Sequence, residues 1–199
     1  MKIPLERPQV ITLAALFIVI IVLAVAFFLG GREESIPLSS STLKEVVAPL
    51  PVPSSSEKRT VVLFFASEED GLLHPEERVI EAGPTPSREA GRILEELIQG
   101  SRSGFLSTLP PETKVRQVYL TKEGIAYADF SKELSVRHPS GSTAEMSTVY
   151  AVVNSLAYNF KDIKRVLILI EGTEKETLNG HVRLDLPLEP NFSLAVQVP

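Results

Sequence analysis

The chain contains no cysteine. Disulfides, thiolate nucleophiles, thiolate metal centres and a lipid on an N-terminal cysteine are therefore all excluded, and the fold must be held by its core. Histidine is scarce, with His74, His138 and His181 the only three among 199 residues, and none belongs to the i, i+4 pair that binds zinc on a helix. No metal site is expected. Neither a G-x-G-x-x-G nor a G-x-x-x-x-G-K-[ST] phosphate loop occurs, so no nucleotide or other cofactor is expected, and no G-x-S-x-G presents a serine nucleophile. Basic residues are in deficit from residue 60 onward, where 14 Lys and Arg face 20 Asp and Glu. An acidic body without a basic stripe does not grip phosphates, which argues against nucleic acid as a partner.

What the chain does have is one long hydrophobic run. Residues 10–29 read VITLAALFIVIIVLAVAFFL, with no charge and only Thr12 polar. At about 1.5 Å per residue such a helix spans about 30 Å, the thickness of a bilayer's hydrocarbon core. A cleaved signal peptide is the competing reading, with Ala24-Val25-Ala26 as its site. Its apolar core would normally be only about 7–15 residues, so an uncleaved single-pass anchor is expected. Lys2, Arg7 and the amino terminus precede the run and Arg32 follows it, which places residues 1–9 in the cytoplasm and the rest outside. Residues 30–59 form a Ser/Pro-rich linker: from 31 to 59 there are seven Ser, four Pro, and charges that cancel at four of each sign.

Residues 60–199 are expected to make one α/β domain, α+β-like, with a mixed β-sheet and two main helices. Strands are predicted over 60–66 (TVVLFFA), 77–82, 114–120, 125–130 and 165–170 (RVLILI). The 114–120 and 125–130 segments read as a hairpin around Thr121-Lys122-Glu123-Gly124, with Val118 and Leu120 sharing a face with Ala126, Ala128 and Phe130. Thr85-Pro86 opens a first helix that Gly100 ends, and a second runs over 142–160 with Met146, Val149, Tyr150, Val153, Leu156, Ala157 and Phe160 on one face. The remainder, from 177, reads as irregular and wrapped on the body, with a possible strand over 181–184.

Three carboxylates, Asp129, Glu145 and Glu171, sit at predicted element ends, where paired acids could hydrolyse an envelope glycan. Each also has a local structural use. Ser142-Thr143-Ala144-Glu145 matches a capping box, Asp129 could accept from loop amides, and Glu171-Gly172 reads as strand exit into a turn. Asn154, beside the apolar face of the second helix, reads as a structural amide bonded to a neighbouring segment.

In order and spacing, these pieces resemble a known family. VVLFFA, TPSREAGRILEELIQG, YADFSKEL, STAEMSTVYAVVNSLAYNF, RVLILIEG and TLNGHVRLDLPL, spread over residues 61–188, are similar to the GerMN domain, also called the sporulation and spore germination domain. The resemblance implies a compact domain like those that build rings in envelope assemblies. Asp129, Glu145, Asn154 and Gly172 fall on its signature positions, with no catalytic role attached. The chain is thus expected to be no enzyme but a scaffold of the bacterial cell envelope. It would be held in the cytoplasmic (inner) membrane by residues 10–29, with its C-terminal domain extracytoplasmic or periplasmic. Envelope proteins or further copies are its expected partners, peptidoglycan or wall peptide the alternative ligand, and a carboxylate hydrolase the least favoured reading.

Overall fold

The computed structural model describes residues 57–198. The predicted cytoplasmic segment 1–9, the membrane run 10–29 and most of the linker lie outside the described residues, among which no helix is long and apolar enough to cross a membrane. The linker ends earlier than its composition implies, because Lys58 and Arg59 already belong to the first strand, β1 (Lys58–Ala66). Their side chains are recruited by the fold: Arg59 pairs with Glu89, donates to the Asn159 carbonyl at 2.7 Å and lies over the Phe160 ring.

From Val61 to Ala66 every residue of β1 is buried, so this strand is covered on both faces rather than one. It pairs antiparallel with β2 (Leu73–Glu81) over nine residues, which extends β2 four residues N-terminal of the predicted 77–82. The second sheet runs β3 (Val115–Leu120), β4 (Ile125–Phe130), β5 (Arg165–Ile170), β6 (Thr173–Glu174) in spatial order. The expected single mixed sheet is therefore two sheets. The mixed one contains the β3–β4 hairpin and the parallel β4–β5 pair, while β1 and β2 stand apart as an antiparallel ribbon. Period-two patterning identifies strands without saying which strand each one pairs with.

Two main helices complete the body. Helix α1 (Pro86–Ile98) begins as expected: the Thr85 hydroxyl accepts from Arg88 N–H at 3.3 Å, and Gly100 at φ 82° follows its C-cap. A four-residue α2 (Glu133–Val136) was not foreseen. Helix α3 (Ser142–Asn159) forms the crossover between the parallel strands β4 and β5, and it is buried on more than the single face the sequence suggested. Residues 151–156 are all buried, whereas Met146 is exposed. In the hairpin, Val118 lies opposite Ala128 and Leu120 opposite Ala126, and Phe130 follows on the buried face after a bulge at Arg116.

Side chains of α3 do for β1 what a neighbouring strand would do. Asn159 accepts from Val62 N–H at 3.0 Å and donates to Val62 C=O at 2.7 Å, and the Ser155 hydroxyl accepts from Phe64 N–H at 3.1 Å. The tail then laces the two sheets. Leu188 exchanges both main-chain bonds with Val166 of β5 at 2.8 Å, and Val196 donates to Leu73 of β2 at 2.8 Å. No strand forms over 181–184: the His181 and Val182 amides are taken by a carboxylate, and pairing there is limited to a single bridge between Thr177 and Arg183, with Leu184 N–H on Glu176 C=O at 2.9 Å.

Candidate functional site

The parallel pair β4–β5 brings two strand ends together, and Asp129, next to last in β4, meets the turn that leaves β5. Asp129 Oδ1 accepts from Gly172 N–H at 2.8 Å, and Oδ2 accepts from Arg116 Nη1 at 3.1 Å. Glu171 and Gly172 have φ of 54° and 73°, the double positive-φ signature of a type I′ turn joining β5 to β6. Glu171 also accepts from Lys132 N–H at 3.0 Å, which ties the turn to the segment before α2. The strand-exit reading of Glu171-Gly172 thus has its geometry.

Glu145 lies on α3 and is 0% exposed. The capping box does not form: Gly141 at φ 125° occupies the N-cap, with no side-chain cap bond. Glu145 turns instead to the loop after β6, where Oε1 accepts from Leu178 N–H at 3.0 Å and Val182 N–H at 2.9 Å, and Oε2 accepts from His181 N–H and Nδ1 at 3.1 Å each. Four donors satisfy a buried carboxylate far better than one backbone amide at the helix start could. Burial alone would raise its pKa, but the loop donors, led by Val182 N–H, more than offset that and hold it below the usual carboxylate range.

Beside it His138 is buried, with Nδ1 2.6 Å from the Pro139 carbonyl and Nε2 2.7 Å from the Thr148 hydroxyl. Desolvation lowers its pKa, against smaller opposing effects of that carbonyl and of Glu145. Further along α3, Asn154 and Asn191 bond reciprocally. The Asn154 amide donates to Asn191 C=O and accepts from Asn191 N–H, both at 2.9 Å.

Asp129, Glu145, Asn154 and Gly172, the positions the resemblance singled out, therefore converge on one task, though not on one point. Asp129 with Gly172, Glu145 with residues 178–182, and Asn154 with residue 191 each clamp part of the chain that follows β5. Asp129 and Glu145 have separate partners: Asp129 is held by Gly172 N–H and the Arg116 guanidinium, Glu145 by the N–H groups of 178–182 and the His181 ring, and Glu145 has no solvent access. Among the described residues no group of three His, Asp or Glu side chains is placed to hold a metal ion.

One polar cluster was not anticipated at all. Glu76 and Arg78 of β2 point inward while Val79 is 62% exposed, the reverse of a conventional pattern. Arg78 pairs with Glu76 at 2.6 Å and Glu96 at 3.1 Å, donates to Gly100 C=O and stacks on Phe65. Glu76 accepts from Ser101 Oγ at 2.6 Å and from the Arg102 and Ser103 amides at 3.1 Å. Burial opposes its ionisation, but Ser101, Arg78 and those amides bring its pKa down to about 2. The sequence signal was present: opposite charges two residues apart lie on one strand face, in register with Ile80.

A cleft of about 800 Å³ runs between the exposed side of α1 and residues 115–119 of β3, with Arg88, Arg92 and Arg116 on its walls.

The comparisons agree with this architecture. The Germane family model, described as sporulation and spore germination, matches residues 62–176. No curated protein matches the chain. Among solved structures, the tandem GerMN domains of the sporulation protein GerM from Bacillus subtilis are 25% identical with a TM-score of 0.54, over 66% of this chain and 46% of that one. The first GerMN domain of the same protein gives 25% identity and a TM-score of 0.49, over 65% and 97% respectively. A provisionally assigned lipoprotein from Clostridium perfringens gives 21% and 0.49, over 70% and 93%. The chain spans about half of the tandem-domain protein, so the likeness is to one domain of the two. With a family match that runs from β1 past β6, and a fold shared with the tandem domains, this chain belongs to the Germane family of sporulation and spore germination domains.

Proposed function

We propose that the chain is a non-catalytic scaffold module, anchored in the cytoplasmic (inner) membrane by residues 10–29, whose Germane domain lies outside the cytoplasm and assembles envelope proteins or copies of itself. The observation that carries this reading is the fate of the acids. The two buried side chains that sequence offered for acid-base chemistry have both oxygens engaged, Asp129 by Gly172 N–H and the Arg116 guanidinium and Glu145 by residues 178–182, while the exposed Glu171 gives one oxygen to Lys132 N–H. A general acid or base needs a free oxygen within reach of substrate. The apolar run at 10–29 and the Ser/Pro-rich segment after it supply a tether of the kind such a module uses. The tandem-domain relative is a sporulation protein, which makes sporulation or germination the process we assign to this chain.

The test is photo-crosslinking in cells of the full-length chain, with probes across 60–199 and identification by mass spectrometry. Crosslinks to itself or to envelope proteins are expected. Wall fragments alone, or no crosslinks, overturn the assembly reading.

A further inference from the structure

We propose that the free edge of β3 and the facing side of α1 form a docking groove in which an extended, acidic segment of a partner protein adds to the four-stranded sheet as a further strand. The inference rests on the assembly reading and names its contact face.

The other strand edges are covered or interrupted. The outer edge of β1 is bonded by Asn159, Ser155 and, at Ala66 C=O, by Leu106 N–H. The outer edge of β2 is interrupted at Leu73, whose C=O is taken by Val196 N–H, at Pro75, which has no N–H, and at Glu81, whose C=O is taken by Arg92; the outward groups of Glu77 and Val79 between them open to solvent, with Val79 62% exposed. The far side of β5 is paired with β6 and with Leu188. β3 is different. Thr121 N–H bonds Ile125 C=O, and from that pair the antiparallel ladder alternates through Tyr119–Tyr127 and Gln117–Asp129. Val118 and Leu120 therefore turn their N–H and C=O groups away from β4, and no other described residue bonds them outside the sheet.

Val118 lies on the wall of the cleft, so its outward groups face the cleft rather than open water. An added strand lies about 4.8 Å from its neighbour and needs a clear lane along the edge. The opposite wall supplies one at Gly91, in the middle of α1, where a Cβ would meet no heavy atom within 4 Å. Glycine is a poor helix former, so its position at this wall is better explained by the space it leaves. A second cleft of about 260 Å³ continues the lane past Lys114.

Charge selects the occupant. Arg88, Arg92 and Arg116 line the main cleft with Glu95; Arg92 donates to the Glu81 and Ala82 carbonyls and Arg116 pairs with Asp129, so Arg88 offers the cleft its unpaired positive charge, on a domain with 14 basic and 20 acidic residues from 60 onward. Arg88 is exposed and has no side-chain partner among the described residues. A second copy docking edge to edge about a two-fold axis would set these arginines against their own counterparts. An acidic strand meets the opposite sign, with alternate apolar residues on the side where Val118 enters the core.

The test measures fluorescence anisotropy of a labelled octapeptide of alternating Val and Glu, capped at both ends, with the full-length chain in mild detergent. Saturable binding is expected. It should weaken about tenfold when alternate peptide nitrogens are methylated, which removes strand bonds and keeps charge. A Val-Lys octapeptide should not bind. Gly91→Leu should abolish binding while its melting temperature stays at or above that of the unaltered chain, and Arg88→Glu should weaken it several-fold. The groove is overturned by no binding of the Val-Glu peptide, by equal binding of the methylated or Val-Lys peptide, or by affinity unchanged in Gly91→Leu. Self-association without peptide that Gly91→Leu abolishes would replace the acidic partner with a second copy. Crosslinks in cells from another face, without peptide binding, sink the groove and leave the assembly reading standing.

Discussion

Removing the Glu145 carboxylate should be among the most costly single changes in this domain. Glu145→Ala takes away the acceptor for Leu178, His181 and Val182 N–H at once. A buried donor left unpaired costs about 1–3 kcal/mol, but two of the three amides belong to residues that can reach water, so the loop relaxes in part. We expect about 4 kcal/mol, in the range found when one partner of a buried charged cluster is deleted. Glu145→Gln is the informative comparison. Its carbonyl can take the Oε1 role toward Leu178 and Val182, while its NH₂ would confront the His181 N–H and ring, so about 2 kcal/mol is expected. For a domain of this size each kcal/mol shifts the melting temperature by roughly 3–5 °C, so thermal melts followed by circular dichroism at pH 7 separate the two variants. The advantage of Glu over Gln has a pH signature. A carboxylate held below its usual pKa stabilises the fold above the unfolded value of 4.5, and that stabilisation fades as pH drops through the folded value. The gap between wild type and Glu145→Gln should thus narrow below about pH 4.5. Glu145→Ala melting within 3 °C of wild type, or a gap independent of pH, would refute the clamp.

Three further outcomes follow from the packing. Glu76, with its pKa brought down to about 2 from 4.5, should contribute on the order of 3 kcal/mol near neutrality that is lost progressively between pH 4.5 and 2; a Glu76→Gln variant that tracks wild-type acid unfolding would contradict this. Asn159→Leu strands both Val62 N–H and Val62 C=O and should cost about 2–4 kcal/mol by urea unfolding, with slowed exchange protection lost at Val62 first. Thr113 carries a buried hydroxyl without a partner, so Thr113→Val should be neutral or stabilise by up to about 1 kcal/mol, and a clear loss would show that the hydroxyl is bonded.

Local rules carried the sequence reading where structure is local. The hairpin turn at 121–124, the strand at 125–130, the Thr85 cap and the Gly100 stop all depend on neighbours within a few residues, and each lies where composition and spacing put it. Long-range partners defeated the same rules. Glu145 fits a capping box locally, yet three amides more than thirty residues ahead outbid the one at the helix start. Glu76 and Arg78 look like solvent-facing charges until α1 supplies Glu96 and the Gly100 carbonyl. The division into two sheets was hidden because β1 finds its second edge partner in helix side chains, which no strand pattern encodes. At the candidate site, the family likeness drew attention to Asp129, Glu145, Asn154 and Gly172, whereas the shared task of Asp129, Glu145 and Asn154, securing the chain after β5, required the contacts.

That helix-to-strand pairing also sets an order of events during synthesis. β1 emerges early, yet the groups that close its edge, Ser155 and Asn159, are 91 and 97 residues further along the chain. Until α3 arrives, TVVLFFA is a bare apolar strand with half its main chain unanswered, the composition most prone to pair with a neighbour's copy. Contacts of such separation slow folding, so the nascent domain stays longest in its most adhesive state. The charges flanking this run, Lys58 and Arg59 before it and Glu68, Glu69 and Asp70 after it, act as gatekeepers for that interval, and neutralising them should raise aggregation on refolding before it lowers the stability of the finished fold.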